Sequence, residues 1–332
     1  MAACVYTHTL PALIGEIAAA PAMQRLRHVG MHCGCEYAAF AVYRQARAPY
    51  SRFSHSLGAA GIVWHFTHDI RQSVAALLHD IATPCFAHTV DFLNGDSLRQ
   101  ESTEADTGAR IAASREIMDA LNHAGIDLAD VADYHRYPVA DNARPALSAD
   151  RLEYMLGDGW RMFGWTGAQA VYDDLFIAQN AQGAREMCFA HLDAARDFAR
   201  VSLQVARLYA SPEDRFAMQA LAALLRAALD AGAIAWDDLL DTEPRLIARL
   251  QAHPATCEAW RRYTALRAVR VTAQRPAEGY SVRVPVKRRV IDPLVKTSGQ
   301  PVRLTQMDAD YRAAVAAFLS ESFDGWLSAE EA

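Results

Sequence analysis

Four side chains in this sequence have the types and spacing for metal chemistry: His55, His79, Asp80 and Asp150. His79 and Asp80 close an apolar stretch, Leu77-Leu-His-Asp-Ile81, and Pro84 stops a helix from running on unchanged. Adjacent residues on a regular helix point about 100° apart, so such a pair shares an ion only where the backbone turns at a helix end. Alone, a His-Asp pair reads as an ordinary helix terminus. The context sharpens it. His55 stands in Tyr50-Ser-Arg-Phe-Ser-His-Ser-Leu-Gly58 at the expected start of one helix, and Asp150 opens another in Ser148-Ala-Asp-Arg-Leu-Glu-Tyr154. Two imidazoles and two carboxylates make a mixed nitrogen and oxygen set suited to a divalent metal ion. The set leaves positions for water and a phosphate oxygen, as metal-assisted hydrolysis requires. Mn2+, Mg2+, Fe2+, Co2+, Ni2+ and Zn2+ all remain open.

Other groups read less sharply. Phe86-Ala-His-Thr-Val-Asp91 places His88 and Asp91 three residues apart on one helix face. A carboxylate beside an imidazole orients the ring and is expected to raise its pKa, which suits a proton donor. A surface histidine with an acidic neighbour has the same spacing. His65 and His68 read as one face of a helix. Cys33 and Cys35 read as structural thiols, because no second Cys pair completes a zinc ribbon. Lys287-Arg288-Arg289 reads as a solvated strand end, or as a basic run that could hold an allosteric nucleotide or RNA.

The elements that must position these groups are mostly helices. The sequence is rich in Ala and Leu with little strict alternation. Helical apolar spacing runs through 57–66, 73–79, 111–121, 151–162, 192–208 and 216–229. Between Tyr280 and Val286 apolar and polar residues alternate, a strand pattern weakened by Pro285, and a final helix is expected over 308–319. The expected fold is mainly α: a helical body with a small C-terminal strand-plus-helix appendage. We divide it into a metal-site core over 1–165, a helical continuation of the same body over 166–275, and the appendage over 276–332.

Composition excludes several classes. Of the 332 residues 52% are hydrophobic and 22% charged, which fits a globular chain rather than a disordered one. The net charge of -6 offers no global basic surface for a nucleic acid. No apolar run approaches the ~18 residues of a membrane span, no signal-peptide pattern opens the chain, and six Cys do not make a disulfide scaffold. A cytoplasmic location with no membrane partner is expected. Phosphate-loop, dinucleotide-binding and nucleophile-elbow motifs are absent from the sequence.

The order His55, His79-Asp80, Asp150 resembles the HD-domain metal-dependent phosphohydrolases. Within them it is similar to the branch of the deoxynucleoside triphosphate triphosphohydrolases. The matching stretches are Pro21-Ala-Met-Gln-Arg-Leu-Arg27, Arg52-Phe-Ser-His-Ser-Leu-Gly58, Leu77-Leu-His-Asp-Ile81, Phe86-Ala-His88 and Asp150-Arg-Leu-Glu-Tyr154. They cover roughly residues 10 to 165, and Val286-Lys-Arg-Arg-Val-Ile-Asp-Pro-Leu294 adds a looser likeness.

The resemblance implies an HD-domain fold and a role for each matched position. His55, His79, Asp80 and Asp150 would hold the metal. Arg52 and Arg151 would contact substrate phosphates, Tyr154 and Asp158 would pack against and hydrogen-bond a sugar, and His88 with Asp91 behind it would deliver the proton. The plainer alternatives are a surface arginine for Arg151 and a core aromatic for Tyr154. The implied activity is hydrolysis of a phosphate ester of a nucleotide or nucleotide-like substrate by metal-activated water. The alternative is a nucleotide-binding sensor on the same fold with reduced or no catalysis. A homo-oligomer is expected, since relatives in this branch often assemble. Three positions depart from the family pattern: Thr83 and Gln100 replace histidines, and Met31 stands where a glutamine reads the base. Substrate selectivity is therefore expected to differ.

Overall fold

Small residues set how closely the central helices approach. The helix Arg52–Thr67 carries Gly58-Ala-Ala-Gly61 in its middle and packs against both Ile70–Leu78 and Ala149–Phe163. The computed structural model describes residues 9–95, 98 and 106–330. Gln100 and Glu101 lie outside them.

Local caps fix where the three helices begin. Ser51 accepts from the Ser54 amide at 3.3 Å, Asp69 from the Arg71 amide at 2.9 Å, and Ser148 from the Arg151 amide at 3.3 Å. Each side chain satisfies an amide that the first helical turn leaves without a partner. His68 ends the first helix in the left-handed conformation, with φ 50°. Helices also form over Leu192–Tyr209, Pro212–Asp230 and Ala309–Ser320, where the apolar spacing places them. The stretch over 111–121 departs from expectation. It divides into Thr107–Ala113 and Arg115–Ala124, because Ser114 is extended (φ -91°, ψ 107°) and turns the chain.

Two small sheets complete the mainly helical fold. Strands β1 (Leu175–Gln179) and β2 (Arg185–Phe189) form an antiparallel hairpin inside the segment read as helical. Its turn is made by Asn180, whose side chain accepts from the amides of Gln182 and Ala184 at 3.0 Å, and by Gly183 at φ 77°. Strand β3 (Val269–Thr272) and the two-residue β4 (Ser281–Val282) flank β7 (Trp326–Ala329) in the second sheet. Strand β5 (Leu294–Val295) runs parallel to β2 and pairs on its other side with β6 (Val302–Arg303). The last third of the chain is thus built into the same sheet as the middle. The alternation over 280–286 yields pairing only at β4. Pro285 has no N–H to offer a ladder, and the chain runs on unpaired to β5. Among the described residues, no helix is long and apolar enough to cross a membrane.

Candidate metal centre and substrate cavity

The capped helices bring the four expected ligands together. His55 lies one turn into its helix, His79 and Asp80 follow the end of Ile70–Leu78, and Asp150 is in the first turn of its own. The Nε2 of His55 is 3.2 Å from the Nε2 of His79 and 3.0 Å from the Oδ1 of Asp150. Asp80 Oδ2 is 3.9 Å from the first nitrogen and 3.5 Å from the second. Asp150 Oδ1 lies 3.7 Å from His79 Nε2.

The chemistry of these donors tests whether an ion fits. His55 Nδ1 lies 2.6 Å from Glu153 Oε2, and His79 Nδ1 lies 2.7 Å from the carbonyl oxygen of Ala76. A carboxylate and a carbonyl can only accept, so each Nδ1 carries the hydrogen. In a neutral ring each Nε2 then presents a lone pair, and the two lone pairs face each other and two carboxylates. Such a convergence of acceptors calls for a cation. A proton can serve in its place: burial would lower the pKa of His55, but the hydrogen bonds it donates to Asp150 and Glu153, and their charges, outweigh burial and raise it to about 10. A divalent ion would displace that proton. Burial alone would raise the Asp80 carboxyl, yet Arg52 and the two imidazoles bring it well below its usual range. The residues fit a divalent ion with mixed nitrogen and oxygen ligands.

Glu153 had no assigned role in the sequence, although Asp150 and Glu153 at i and i+3 share one helix face. Its Oε2 accepts from His55 and from the Tyr50 hydroxyl. It needs the space that Gly58 leaves, because a Cβ there would sit 2.6 Å from Glu153 Oε1. Tyr134 adds a second support, with its ring 4.9 Å from that of His79.

The cluster opens into a cavity of about 910 Å³. Arg52 reaches it as expected and donates to Asp80 Oδ2 at 3.2 Å. Its Nε is buried with no hydrogen-bond partner among the described residues. Thr83 donates to Asp80 Oδ1 at 2.7 Å. Tyr154 and Tyr209 line the wall with ring centroids 6.4 Å apart.

Two expected contacts are placed differently. Arg151 touches the cavity, but its guanidinium is committed to the 141–148 loop: to Asn142 Oδ1 at 2.6 Å, the Ala146 carbonyl at 3.0 Å and Asp141 at 3.0 Å. Asp158 is wholly buried and holds two residues of the wall, accepting from His32 at 3.0 Å and from the Tyr209 hydroxyl. Burial opposes protonation of His32, but the Asp158 charge and hydrogen bond lift it to about 9, so a cationic imidazole faces the cavity beside Met31.

His88 also faces the cavity, with Nδ1 2.9 Å from Asp91 Oδ2 and Asp91 fully buried behind it. The expected upward pKa shift is not found. Burial lowers the pKa, Arg52 and Arg289 add to that, and the Asp91 contact only partly compensates. The backbone leading to His88 is left-handed at Phe86 (φ 61°) and Ala87 (φ 42°). Buried Glu243 accepts from the Phe86 and Gly30 amides at 3.0 Å and braces this turn.

The basic run, read as a solvated strand end, is part of the wall. Lys287 and Arg289 line the cavity. The alternation over 280–286 stops short of this run, so nothing in the sequence assigned its residues to a cavity.

No family model matches the chain. An uncharacterized protein of Bacillus subtilis, YdhJ, is 27% identical over 250 residues, which are 74% of this chain and 73% of that one. The metal-dependent phosphohydrolase cns2 of Cordyceps militaris is 28% identical over 165 residues, 49% of this chain and 46% of its own length. The crystal structure of a phosphohydrolase from Bacteroides thetaiotaomicron superposes with a TM-score of 0.63, covering 96% of this chain and 95% of that one at 14% identity. The chain shares its fold with a phosphohydrolase. At that identity the likeness is one of architecture, and the chemistry rests on the site.

Proposed function

We propose that this chain is a metal-dependent phosphohydrolase that cleaves a phosphate ester of a nucleotide or nucleotide-like substrate. The observation that carries the reading is the cluster of four acceptors at the floor of a cavity walled by arginine. The metal-dependent phosphohydrolase of Cordyceps militaris and the phosphohydrolase of matching fold support it. His55, His79, Asp80 and Asp150 would hold the ion, which supplies Lewis acidity toward a phosphoryl oxygen and activates water when bound.

The protein's own groups do the rest. Arg52 neutralises phosphate charge, and its pairing with Asp80 keeps the guanidinium beside the cluster. His88 holds its ring by Asp91 and gives a proton to the leaving oxygen. In the free protein His88 is more readily neutral than an ordinary imidazole. A phosphate arriving beside it offsets the nearby guanidinium charges and favours its protonated form. Tyr154 and Tyr209 offer aromatic surface to a sugar or base, and the cavity is large enough for a nucleotide. Met31 offers an apolar contact without the paired amide contacts of a glutamine.

A nucleotide panel assayed with Mn2+, Mg2+, Co2+ and Ni2+ tests the proposal. Metal-dependent phosphate release that is lost in His79→Ala supports it. Tight nucleotide binding without turnover in any metal would favour the sensor instead.

A further inference from the structure

Between Val284 and Asp292 the chain belongs to no helix or strand, and the side chains of its basic run take different sides. Lys287 and Arg289 face the cavity. Arg288 faces away, donating to the Glu321 carbonyl at 2.6 Å with its guanidinium over the Phe323 ring. The segment is pinned at both ends. Arg215 donates to the Val284 carbonyl at 2.7 Å and to the Phe323 carbonyl at 3.2 Å, and Val284 is buried. At the far end the Asp292 amide donates to the Pro145 carbonyl at 2.9 Å, and Ile291 is buried. A strap fixed at both ends therefore carries two cationic side chains over the cavity.

The guanidinium of Arg289 lies 5.9 Å from the centre of the Tyr209 ring. Its charge bears on His88, Tyr154 and Arg144, which come from three other stretches of the chain. Arg52 acts on His88 in the same direction. Like charges gathered at one cavity repel, and a bound anion relieves that cost. The committed guanidinium of Arg151 leaves this role open to residues of the strap.

We infer that Lys287 and Arg289 bind phosphoryl oxygens of the ligand and hold it against the His–Asp cluster, making the strap part of the active site. The inference deepens the phosphohydrolase reading and rests on it for the ligand's role as a substrate, but not for the binding itself.

Titration of the protein as isolated with inorganic phosphate, read by calorimetry, tests this without turnover. A Lys287→Ala/Arg289→Ala variant should bind phosphate at least about 10-fold more weakly, with metal content and Tm unchanged. Arg288→Ala should bind as wild type does. Should truncation lower Tm, Lys287→Gln/Arg289→Gln keeps most of each side chain and carries the same expectation. An unchanged Kd in either double variant, no phosphate binding by wild type, or an equal loss in Arg288→Ala overturns the inference. Phosphate binding that depends on Lys287 and Arg289, in a protein that hydrolyses no phosphate ester, would defeat the phosphohydrolase reading alone.

Discussion

The His–Asp cluster and the 284–292 strap meet in one cavity, yet they are held in different ways. The cluster is held from within by side chains: Glu153 and Ala76 fix the two imidazoles, and Arg52 and Thr83 fix Asp80. The strap is held at its two ends, where Arg215 donates to the Val284 carbonyl, the Asp292 amide donates to the Pro145 carbonyl, and Val284 and Ile291 are buried. A change in the cluster therefore propagates from one side chain to the next. A change in Lys287 or Arg289 leaves these anchors in place. The cluster should be intolerant and the strap tunable.

The largest effect should come from the cluster itself. His79→Ala removes a proposed nitrogen ligand and the ring that packs against Tyr134 in the cluster. Loss of several kcal/mol of charge stabilisation predicts turnover lower by at least about 10³-fold. A drop under 10-fold in steady-state kinetics would place the chemistry elsewhere in the cavity.

Next in size is His88→Ala, expected to cut turnover by about 10²-fold or more while metal content and substrate affinity hold. The pH profile sharpens this. An acid that must be protonated loses activity as pH rises through its pKa. With the pKa lowered in the free protein, the fall in kcat/KM should begin below the ordinary imidazole value of about 6.5. In kcat the same fall should move to higher pH, because bound phosphate stabilises the imidazolium. Identical profiles for wild type and His88→Ala would remove His88 from the reaction.

A smaller effect is expected one layer out. Glu153→Gln keeps a hydrogen-bond acceptor for His55 but loses the charge, and such outer partners typically matter by about 10–100-fold in metal affinity. Competition with a chelating dye measures it. Gly58→Ala should act in the same direction, because its methyl would push on the Glu153 carboxylate.

Arg151 separates structure from catalysis. Its removal takes the guanidinium from the buried Asp141 carboxylate and leaves it the Ser148 hydroxyl and His135, which should cost about 1–3 kcal/mol of stability in chemical denaturation. KM should change little. A raised KM with unchanged stability would return Arg151 to the phosphate.

The His–Asp cluster was legible in the sequence because its members fall at expected helix ends, in the order His55, His79-Asp80, Asp150, with Pro84 marking one turn. The helices were legible for a related reason, since burial along one stripe imposes its own period. Glu153 was harder: an acidic residue on a helix reads as solvated until the neighbouring helix is known to carry Gly58. The roles of Asp158 and Arg151 depend on which way a buried side chain turns, and spacing alone does not encode that. The strap was least legible. Its basic run looked like a solvated strand end, and its anchors to Arg215 and Pro145, with the parallel pairing of β5 and β2 beyond it, join parts of the chain far apart in sequence.

The central claim is that His55, His79, Asp80 and Asp150 together hold a divalent ion. Elemental analysis of the purified wild-type protein beside Asp80→Ala and Asp150→Ala tests it most directly. The account predicts about one divalent ion per chain in wild type and a small fraction of that in both variants, with each still folded. Asp80→Ala and Asp150→Ala retaining as much metal as wild type would contradict it.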